Sequence, residues 1–429
     1  MSIFIQIASY RDPELKPTIK SILENASYPD KLTFGICWQH GEDENLNEYI
    51  KDHRFRIMDI WWENSKGLGW ARSKIQKMYA NETYTMQIDS HHRFVKNWDT
   101  ELIQMYEQLQ KKGYEKPIIT SYAAVYDPDD KDIYKTSEPY IMRADKFTPY
   151  GTIMFYPYYI PNYQELKEPL RARFVSGHFF FTTGLHCKEY KYDPQVYFAG
   201  DEISLSIRSF TLGYDLFHPH KLIMWHHYGR NYRRKHWDDH TLENKQNKTV
   251  NKTWYERDEY SKQRIRQLLK EEDHGIFLGK YGHGKVRTHK EYELYAGINF
   301  KERKLQQYTL DGKEPPNTTE NIVWLPNERE HEYEITVRWN IDEIDKCDDL
   351  QFWYIGILDK NDVELIRKDL PFSEYKDIMN KNNQYVIKLI TKKQPYKYKI
   401  WPYSVSKKWL KAIDKVINID IDIDNIKEI

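Results

Sequence analysis

The chain lacks most features that mark secreted, membrane-spanning or nucleic-acid-binding proteins. It has three cysteines in 429 residues, Cys37, Cys187 and Cys347, and this odd, widely spaced set predicts neither a disulfide framework nor a zinc site. No apolar run approaches the 18 or so residues of a membrane-spanning helix. Lys plus Arg and Asp plus Glu each total 65, so no global field favours nucleic acid or an acidic membrane surface.

The N-terminus also lacks the pattern of a secretion signal. Residues 1–9 (MSIFIQIAS) have no basic segment, and their apolar core is too short. Together with the few cysteines, this predicts a cytoplasmic protein in a reducing compartment.

The first half of the chain alternates between strand-like and helix-like segments. Strands are predicted at residues 3–8, 32–38, 56–61 and 84–88, and helices at about 14–24 and 66–79. This alternation predicts an α/β fold with a largely parallel, doubly wound sheet. Ligands of such folds bind at the carboxyl ends of the strands.

The sequence pattern changes in the last third of the chain. Residues 264–269 are helical in pattern, and residues 279–301 look like an extended tail of the first domain. Six short strands follow, at residues 321–325, 332–339, 350–358, 363–368, 384–391 and 396–403, with a further candidate at 417–424. We therefore expect a domain at 1–305, a linker at 306–320 and a smaller β-rich, sandwich-like domain at 321–429.

The most informative segment is residues 84–94 (YTMQIDSHHRF), in which a buried strand ends in a carboxylate and imidazoles. Asp89 and His91 are two residues apart, so their side chains project the same way at the strand exit. A carboxylate oxygen and an imidazole nitrogen on one side are plausible ligands of a divalent metal. The alternative is a strand end with solvated polar residues.

A second strand, residues 222–226, also ends in histidines. His226 would complete a metal site from a distant point in the chain, although a single histidine is more often structural. The basic segment 230–236 that follows is either a lid that closes over a ligand or a solvated surface.

Two turns near the N-terminus have the composition of phosphate and nucleotide contacts. The segment 9–13 (SYRDP) follows the first strand, and Asp-Pro is also ordinary turn chemistry. The segment 67–73 (GLGWARS) opens a helix with Arg72 in its first turn. A helix N-terminus and a guanidinium suit an anion such as a diphosphate.

Two acidic residues follow a glycine turn further along. Gly200 precedes Asp201 and Glu202, which enter a helix with an apolar inner face. We expect the two carboxylates to be catalytic and to face the reacting groups. Capping of their own helix is the alternative.

Taken in order, the segments SYRDP, GLGWARS, QIDSHHRF, SGHFFF, GDEISL and HHYGR make the chain similar to the glycosyltransferases of family 60, over about residues 1–300. Those enzymes are UDP-GlcNAc-dependent polypeptide N-acetylglucosaminyltransferases that act on hydroxyproline. The resemblance implies a GT-A fold, a UDP-sugar donor, retention at the anomeric carbon, and a hydroxyl acceptor on a protein or glycan. It does not cover the C-terminal region.

The resemblance also implies site residues. Asp89, His91 and His226 match a metal site for Mn²⁺ or Mg²⁺, with His227 the alternative third ligand. Residues expected to contact the nucleotide sugar are Ser9, Tyr10, Arg11, Arg72, Ser90, Gly177 and His178.

Two other functional classes remain open at this stage. The histidine pairs at 91–92 and 226–227 could serve two metals in a metal-dependent phosphohydrolase. A catalytically silent sugar-binding protein would use the 35 tyrosines and 13 tryptophans, although aromatic residues more often fill cores.

Overall fold

The computed structural model describes residues 1–42, 44–130, 133–134, 136–148, 150–229, 231–317, 331–340, 343–344, 347–371, 374, 384–418 and 423–428. The chain divides into two units, which are described separately below. The first comprises Met1–His240 and Lys252–Leu325, and the second comprises Thr241–Asn251 and Pro326–Ile429.

The described helices are α1 Leu15–Asn25, α2 Asn47–Ile50, α3 Leu68–Ile75, α4 Trp98–Lys111, α5 His186–Glu189, α6 Asp201–Thr211, α7 His236–Asp239, α8 Leu242–Gln246, α9 Trp254–Leu269, α10 His289–Ala296 and α11 Gln307–Leu310. The strands of the first unit are β1 Ile3–Tyr10, β2 Leu32–His40, β3 Phe55–Trp61, β4 Tyr84–Asp89, β5 His92–Phe94, β6 Pro117–Thr120, β7 Ala124–Val125, β8 Tyr140–Phe147, β9 Ile153–Tyr159, β10 Leu170–Arg171, β11 Phe179–Thr183, β12 Asp215–His218, β13 Met224–His226, β14 Ile298–Asn299 and β15 Lys304–Leu305.

An eight-stranded sheet forms the centre of the first unit, in the order β10-β12-β6-β11-β4-β1-β2-β3. The pairs β1–β2, β1–β4, β2–β3 and β6–β12 are parallel, whereas β11 is antiparallel to both β4 and β6. The sheet is therefore mixed, and β4 and β1 lie side by side near its middle. Their carboxyl ends place Asp89 and Tyr10 at the same edge.

The central strands are apolar because both faces of the sheet are covered. Ile3, Ile5 and Ile7 of β1 are no more than 1 % exposed, and they share a core with Ile19 and Ile22 of α1. A strand buried on both faces needs a continuous apolar run. This is why β1 and β4 could be recognised from sequence.

The prediction of an extended tail at residues 279–301 is wrong. The segment contains α10, His289–Ala296, which begins at a capping box between Thr288 and Glu291 and ends at Gly297 with φ +67°. α10 has only eight residues, and its apolar positions are Tyr292, Leu294, Tyr295 and Ala296, so its helical period is weak in the sequence. The Thr-x-x-Glu pattern was the available signal.

The second unit is an antiparallel β-structure with its own hydrophobic core. Its described strands are β16 His331–Arg338, β17 Leu350–Leu358, β18 Glu364–Pro371, β19 Gln384–Thr391, β20 Lys397–Ser404, β21 Lys408–Trp409, β22 Ile413–Val416 and β23 Ile423–Glu428. One sheet has the order β19-β16-β23, and the other is β18-β17-β20-β21 with β22 beside β20. Residues of both sheets, including Ile335 and Trp353, share one cluster, as in a sandwich. The strand predicted at 321–325 lies outside the described residues.

The predicted fold class is confirmed in its architecture: an α/β domain around a large sheet, followed by a smaller β-rich domain. Among the described residues, no helix combines the length and apolar character needed to cross a membrane.

Candidate active site

Three of the predicted site residues meet at the carboxyl edge of the large sheet. Asp89 ends β4, His91 follows in the turn, and β13 pairs with β5 in a register that sets His226 opposite His92. Asp89 Oδ2 lies 3.7 Å from His226 Nε2 and 3.9 Å from His91 Nε2. One ligand atom from each of Asp89, His91 and His226 lies within 4.8 Å of the other two.

The chemistry of this cluster fits a divalent metal ion. His226 is 6 % exposed, yet within the described part of the chain neither of its ring nitrogens has a hydrogen-bond partner. Burial and the neighbouring histidines hold the pKa of His226 well below its usual range, so the ring is neutral and keeps a free lone pair. One carboxylate oxygen and two imidazole nitrogens suit Mn²⁺ and similar ions. His227 is not part of the cluster; its Nε2 lies 4.0 Å from Asp127.

A fourth residue, Asp12, orients this cluster, and no role was predicted for it. Asp12 Oδ2 accepts a hydrogen bond from His91 Nδ1 at 2.7 Å and another from Ser90 Oγ at 2.6 Å. Burial alone would raise the pKa of Asp12, but its bond to His91 and the charge of Arg233 outweigh burial and lower it. The proton on Nδ1 leaves the lone pair of His91 on Nε2, which faces Asp89. Asp12 lies in the same turn as Tyr10, and that position was the only signal for it.

An open cavity of about 150 Å³ lies over the cluster. Its walls include Asp89, His91 and His226, together with Tyr10 and Ser90 of the predicted nucleotide-sugar contacts. Its lining also includes Arg233, Lys235 and Trp237 from the segment after β13. Arg233 is only 17 % exposed, whereas its neighbour Arg234 is 63 % exposed, so the basic segment is solvated in part only. Arg230 lies outside the described residues.

The turn after β1 is held by Asp239, a residue that sequence reasoning missed. Tyr10 Oη and Arg11 Nη1 each donate to Asp239 Oδ2 at 3.0 Å. Ser9 is fully buried, and its carbonyl accepts a hydrogen bond from Gln39 at 2.9 Å. Of these three predicted contacts, Tyr10 lines the cavity, whereas Ser9 and Arg11 do not. Asp239 is 228 residues from Arg11, so no local pattern could reveal the pair.

Arg72 lies between the metal cluster and the acidic pair. Its guanidinium, 3 % exposed, donates from Nη1 to Asp201 Oδ2, and from Nη2 to Gly177 O at 2.6 Å and Asp89 Oδ1 at 3.3 Å. The amides of Leu68 and Gly69 at the start of α3 donate to the carbonyls of Tyr197 and Val196. The Arg72 guanidinium and these two amides therefore form hydrogen bonds within the protein. The first two amides of α3 do not offer the expected anion site.

Neither acidic residue caps its own helix. The N-cap of α6 is Gly200, and no side chain caps it. Glu202 accepts from Gly177 N at 2.9 Å and from Tyr122 Oη at 2.8 Å. Burial raises the pKa of Glu202 to about 7 despite these bonds. The capping alternative is wrong, because both carboxylates bond to groups outside α6.

His178 packs against His226. Its ring stacks on His226 with centroids 4.4 Å apart, and its Nε2 accepts from Ala123 N at 3.1 Å. Burial lowers the pKa of His178 to about 4, so the ring is neutral at physiological pH. The structure therefore places His178 against the Asp89–His91–His226 cluster.

Solved structures with similar folds are distant. GalNAc-T7 with UDP, GalNAc and Mn²⁺ matches at 16 % identity and a TM-score of 0.44, over 68 % of this chain. The match covers 56 % of that protein, so the chain spans little more than half its length. A fragment of S. aureus TarS (1–349) with UDP-GlcNAc matches at 11 % identity and TM-score 0.35, over 54 % of this chain and 60 % of that one. The structure of S. aureus TarS matches at 10 % sequence identity and a TM-score of 0.35. That match covers 97 % of this chain and 77 % of the TarS chain.

Comparison of the sequence with curated proteins and with family models identifies the family of this chain. No curated protein matched the chain. The model of one family, described as Glycosyltransferase (GlcNAc), matches residues 2–48 and 43–302. These residues include the whole Asp89–His91–His226 cluster and the cavity above it. The chain therefore belongs to the Glycosyltransferase (GlcNAc) family.

Proposed function

We propose that this glycosyltransferase is metal-dependent and transfers GlcNAc, with retention of configuration, from UDP-GlcNAc to a hydroxyl group on a protein or glycan in the cytoplasm. The observation that carries the proposal is the Asp89–His91–His226 cluster, which opens into a cavity lined by Tyr10 and Arg233. The motifs shared with family 60 support GlcNAc as the sugar.

The cavity supplies the groups that a nucleotide diphosphate needs. Arg233 and Lys235 would contact the diphosphate, and the ring of Tyr10 offers a face to the base. Asp89, His91 and His226 would hold Mn²⁺ or Mg²⁺. When bound, such an ion supplies positive charge to the leaving diphosphate.

Transfer with retention follows from attack on the same face that UDP leaves. The bond between the anomeric carbon and the phosphate oxygen breaks, and the acceptor oxygen forms the new bond. The acceptor proton goes to the departing phosphate oxygen. Holding the acceptor hydroxyl at the anomeric carbon makes the step effectively unimolecular.

In this account Arg72 and Asp201 act through their neighbours. Asp201 holds the Arg72 guanidinium, which in turn orients Asp89 and the carbonyl of Gly177. Glu202 is partly exposed and has a pKa near neutrality, so it is the better candidate for a direct contact with donor or acceptor.

Donor hydrolysis tests the proposal without knowledge of the acceptor. UDP release would be measured with Mn²⁺ and a panel of UDP-GlcNAc, UDP-GalNAc, UDP-glucose and UDP-galactose. We expect release from UDP-GlcNAc that EDTA abolishes. Release of UDP from another UDP-sugar would identify that sugar as the donor instead. Release that continues in the presence of EDTA would overturn the metal dependence.

The competing phosphohydrolase has less support. A two-metal centre needs a second group of ligands. Within the described residues, Asp89, His91 and His226 form the one group of His, Cys, Asp or Glu that could hold an ion.

A further inference from the structure

A second cavity, of about 310 Å³, lies in the first unit away from the Asp89 cluster. It is bounded by the hairpin β8–β9, by the segment that contains β10, and by the turn after α11. None of the predicted site residues lines it.

This cavity is cationic and aromatic. Its lining includes Arg143, Arg171, Arg173 and Lys313, against the two carboxylates of Asp311 and Glu314. Glu314 accepts from the backbone amide of Arg171 at 2.7 Å, and Asp311 lies 3.8 Å from Lys313 Nζ. Positive charge therefore remains in excess around the space.

Arg173 is the most unusual of these groups. It is 4 % exposed and donates to the carbonyls of Tyr295 at 3.0 Å and Lys313 at 2.6 Å, but its Nε has no partner. Among the described residues no carboxylate lies within 4.0 Å of it, and burial lowers its pKa to about 10. Burying a cation without a counter-ion costs free energy of folding, and a bound anion offsets that cost.

Two tyrosines of the hairpin, Tyr158 and Tyr159, line the cavity. The rings of Tyr158 and Tyr159 stack with centroids 4.9 Å apart, and Tyr159 is 50 % exposed. The Arg143 guanidinium lies 4.9 Å from the ring centroid of Tyr158. Neighbouring aromatic faces and a guanidinium suit a sugar ring that carries an oxyanion.

One residue that lines the cavity, His218, belongs to the large sheet that bears the Asp89 cluster. β12 runs parallel to β6 and in the same direction as β4, so His218 at its carboxyl end lies near the edge that bears Asp89. The chain leads from Arg173 to Gly177 in four residues, which span at most about 14 Å. An oligomeric acceptor could occupy both places.

We propose that this cavity binds an anionic sugar unit of the acceptor, with Arg173 and Arg143 as the cationic contacts and Tyr158 and Tyr159 as the stacking surface. The proposal rests on the proposed transferase function, because it names the class of acceptor. The anion is either a phosphate ester or a carboxylate, since both present oxygens that a guanidinium binds.

Direct binding to the full chain tests this proposal without turnover. Glucose 6-phosphate, glucuronate and glucose would be titrated by calorimetry without Mn²⁺ or UDP. We expect one of the anionic sugars to bind and glucose to bind at least 10-fold more weakly. Preference between the two anions identifies the phosphate or the carboxylate.

Variants locate the binding. Arg173→Gln removes the buried cation, and Arg143→Gln tests the rim should the first variant fold poorly. Either change should weaken anion binding at least 5-fold, whereas Lys20→Gln, which removes a charge on the exposed face of α1, should leave it unchanged. The proposal is overturned if no anionic sugar binds, or if the folded Arg143 variant binds as wild type does. UDP-sugar hydrolysis fails or succeeds independently of these titrations, so it reports on the transferase function alone.

Discussion

At the scale of single residues, the geometry of the candidate site depends on residues that orient other residues. Asp12 fixes His91, Asp201 fixes Arg72, and Arg72 fixes Asp89. Each pair is buried or nearly so, and a buried charge that loses its partner is strongly destabilising. Changes to the supporting residues should therefore affect the metal site almost as much as changes to the ligands.

Asp12→Asn tests this support. The amide cannot hold His91 Nδ1–H as a carboxylate does, so Mn²⁺ affinity should fall about 10- to 100-fold. Affinity is measured by calorimetry on the protein without donor. The control is Asp30→Asn, because the Asp30 side chain is 96 % exposed. Unchanged affinity in the Asp12 variant would remove its orienting role.

The raised pKa of Glu202 predicts that the free energy of unfolding depends on pH. Its pKa is about 7 in the folded protein against an ordinary 4.5, so the folded state holds the proton more tightly than the unfolded state. Stability should therefore fall as pH rises from about 4.5 to 7. Glu202→Gln should lose less stability between pH 5 and pH 8 than wild type, measured by urea unfolding.

The matched control for this change is Glu24→Gln, at a position that is 62 % exposed. It should retain the pH profile of wild type. Identical profiles for wild type and the Glu202 variant would show that this carboxyl does not titrate near neutrality.

At the scale of elements, α3 fits its neighbours too closely to tolerate added volume. A Cβ at Gly69 would lie 2.4 Å from Val196 O and 2.6 Å from Asp193 O, and both atoms are backbone. Gly69→Ala should therefore displace α3 and destabilise the protein by about 1–3 kcal/mol. Thermal unfolding measures the change.

The comparison for α3 is Gly41→Ala. There a Cβ would meet the guanidinium of Arg11 at 3.2 Å, and that flexible end can move. Stability equal to wild type in the Gly69 variant would mean that the contact with Val196 is not rigid.

Elements were predictable from the sequence where a single pattern set them. The runs at β1, β2 and β4 are largely apolar because both sides of the sheet are buried there. These three strands and the half-exposed edge strand β3 were each predicted within two residues. The short strand β13 was predicted as part of residues 222–226, but β5 carries no such pattern, and the pairing of the two, which sets His226 opposite His92, could not be predicted. Long-range partners such as Asp239 for Arg11 depend on the fold and leave no trace in local sequence.

At the scale of the whole molecule, the two units have separate hydrophobic cores. The residues of the metal cluster and its cavity all belong to Met1–His240, whereas Trp353 is fully buried in the core of the second unit. A defect in that core should therefore lower the stability of the second unit and leave donor hydrolysis intact.

Trp353→Ala tests this separation. The cavity it leaves should cost about 3–5 kcal/mol, read as earlier proteolysis of the C-terminal region on heating. UDP release at 25 °C should match wild type. Trp409→Ala, at a position 39 % exposed, is the control and should alter proteolysis little. Loss of UDP release in the Trp353 variant alone would contradict independent cores.

The measurement that tests the account most directly is Mn²⁺ binding by wild type, His226→Ala, His227→Ala and His53→Ala, followed by calorimetry in the presence of UDP. His53 is 95 % exposed and controls for loss of an imidazole. The account predicts that only the His226 change abolishes Mn²⁺-dependent UDP binding. Retained binding in a folded His226 variant would contradict the metal site on which the proposed transferase function depends.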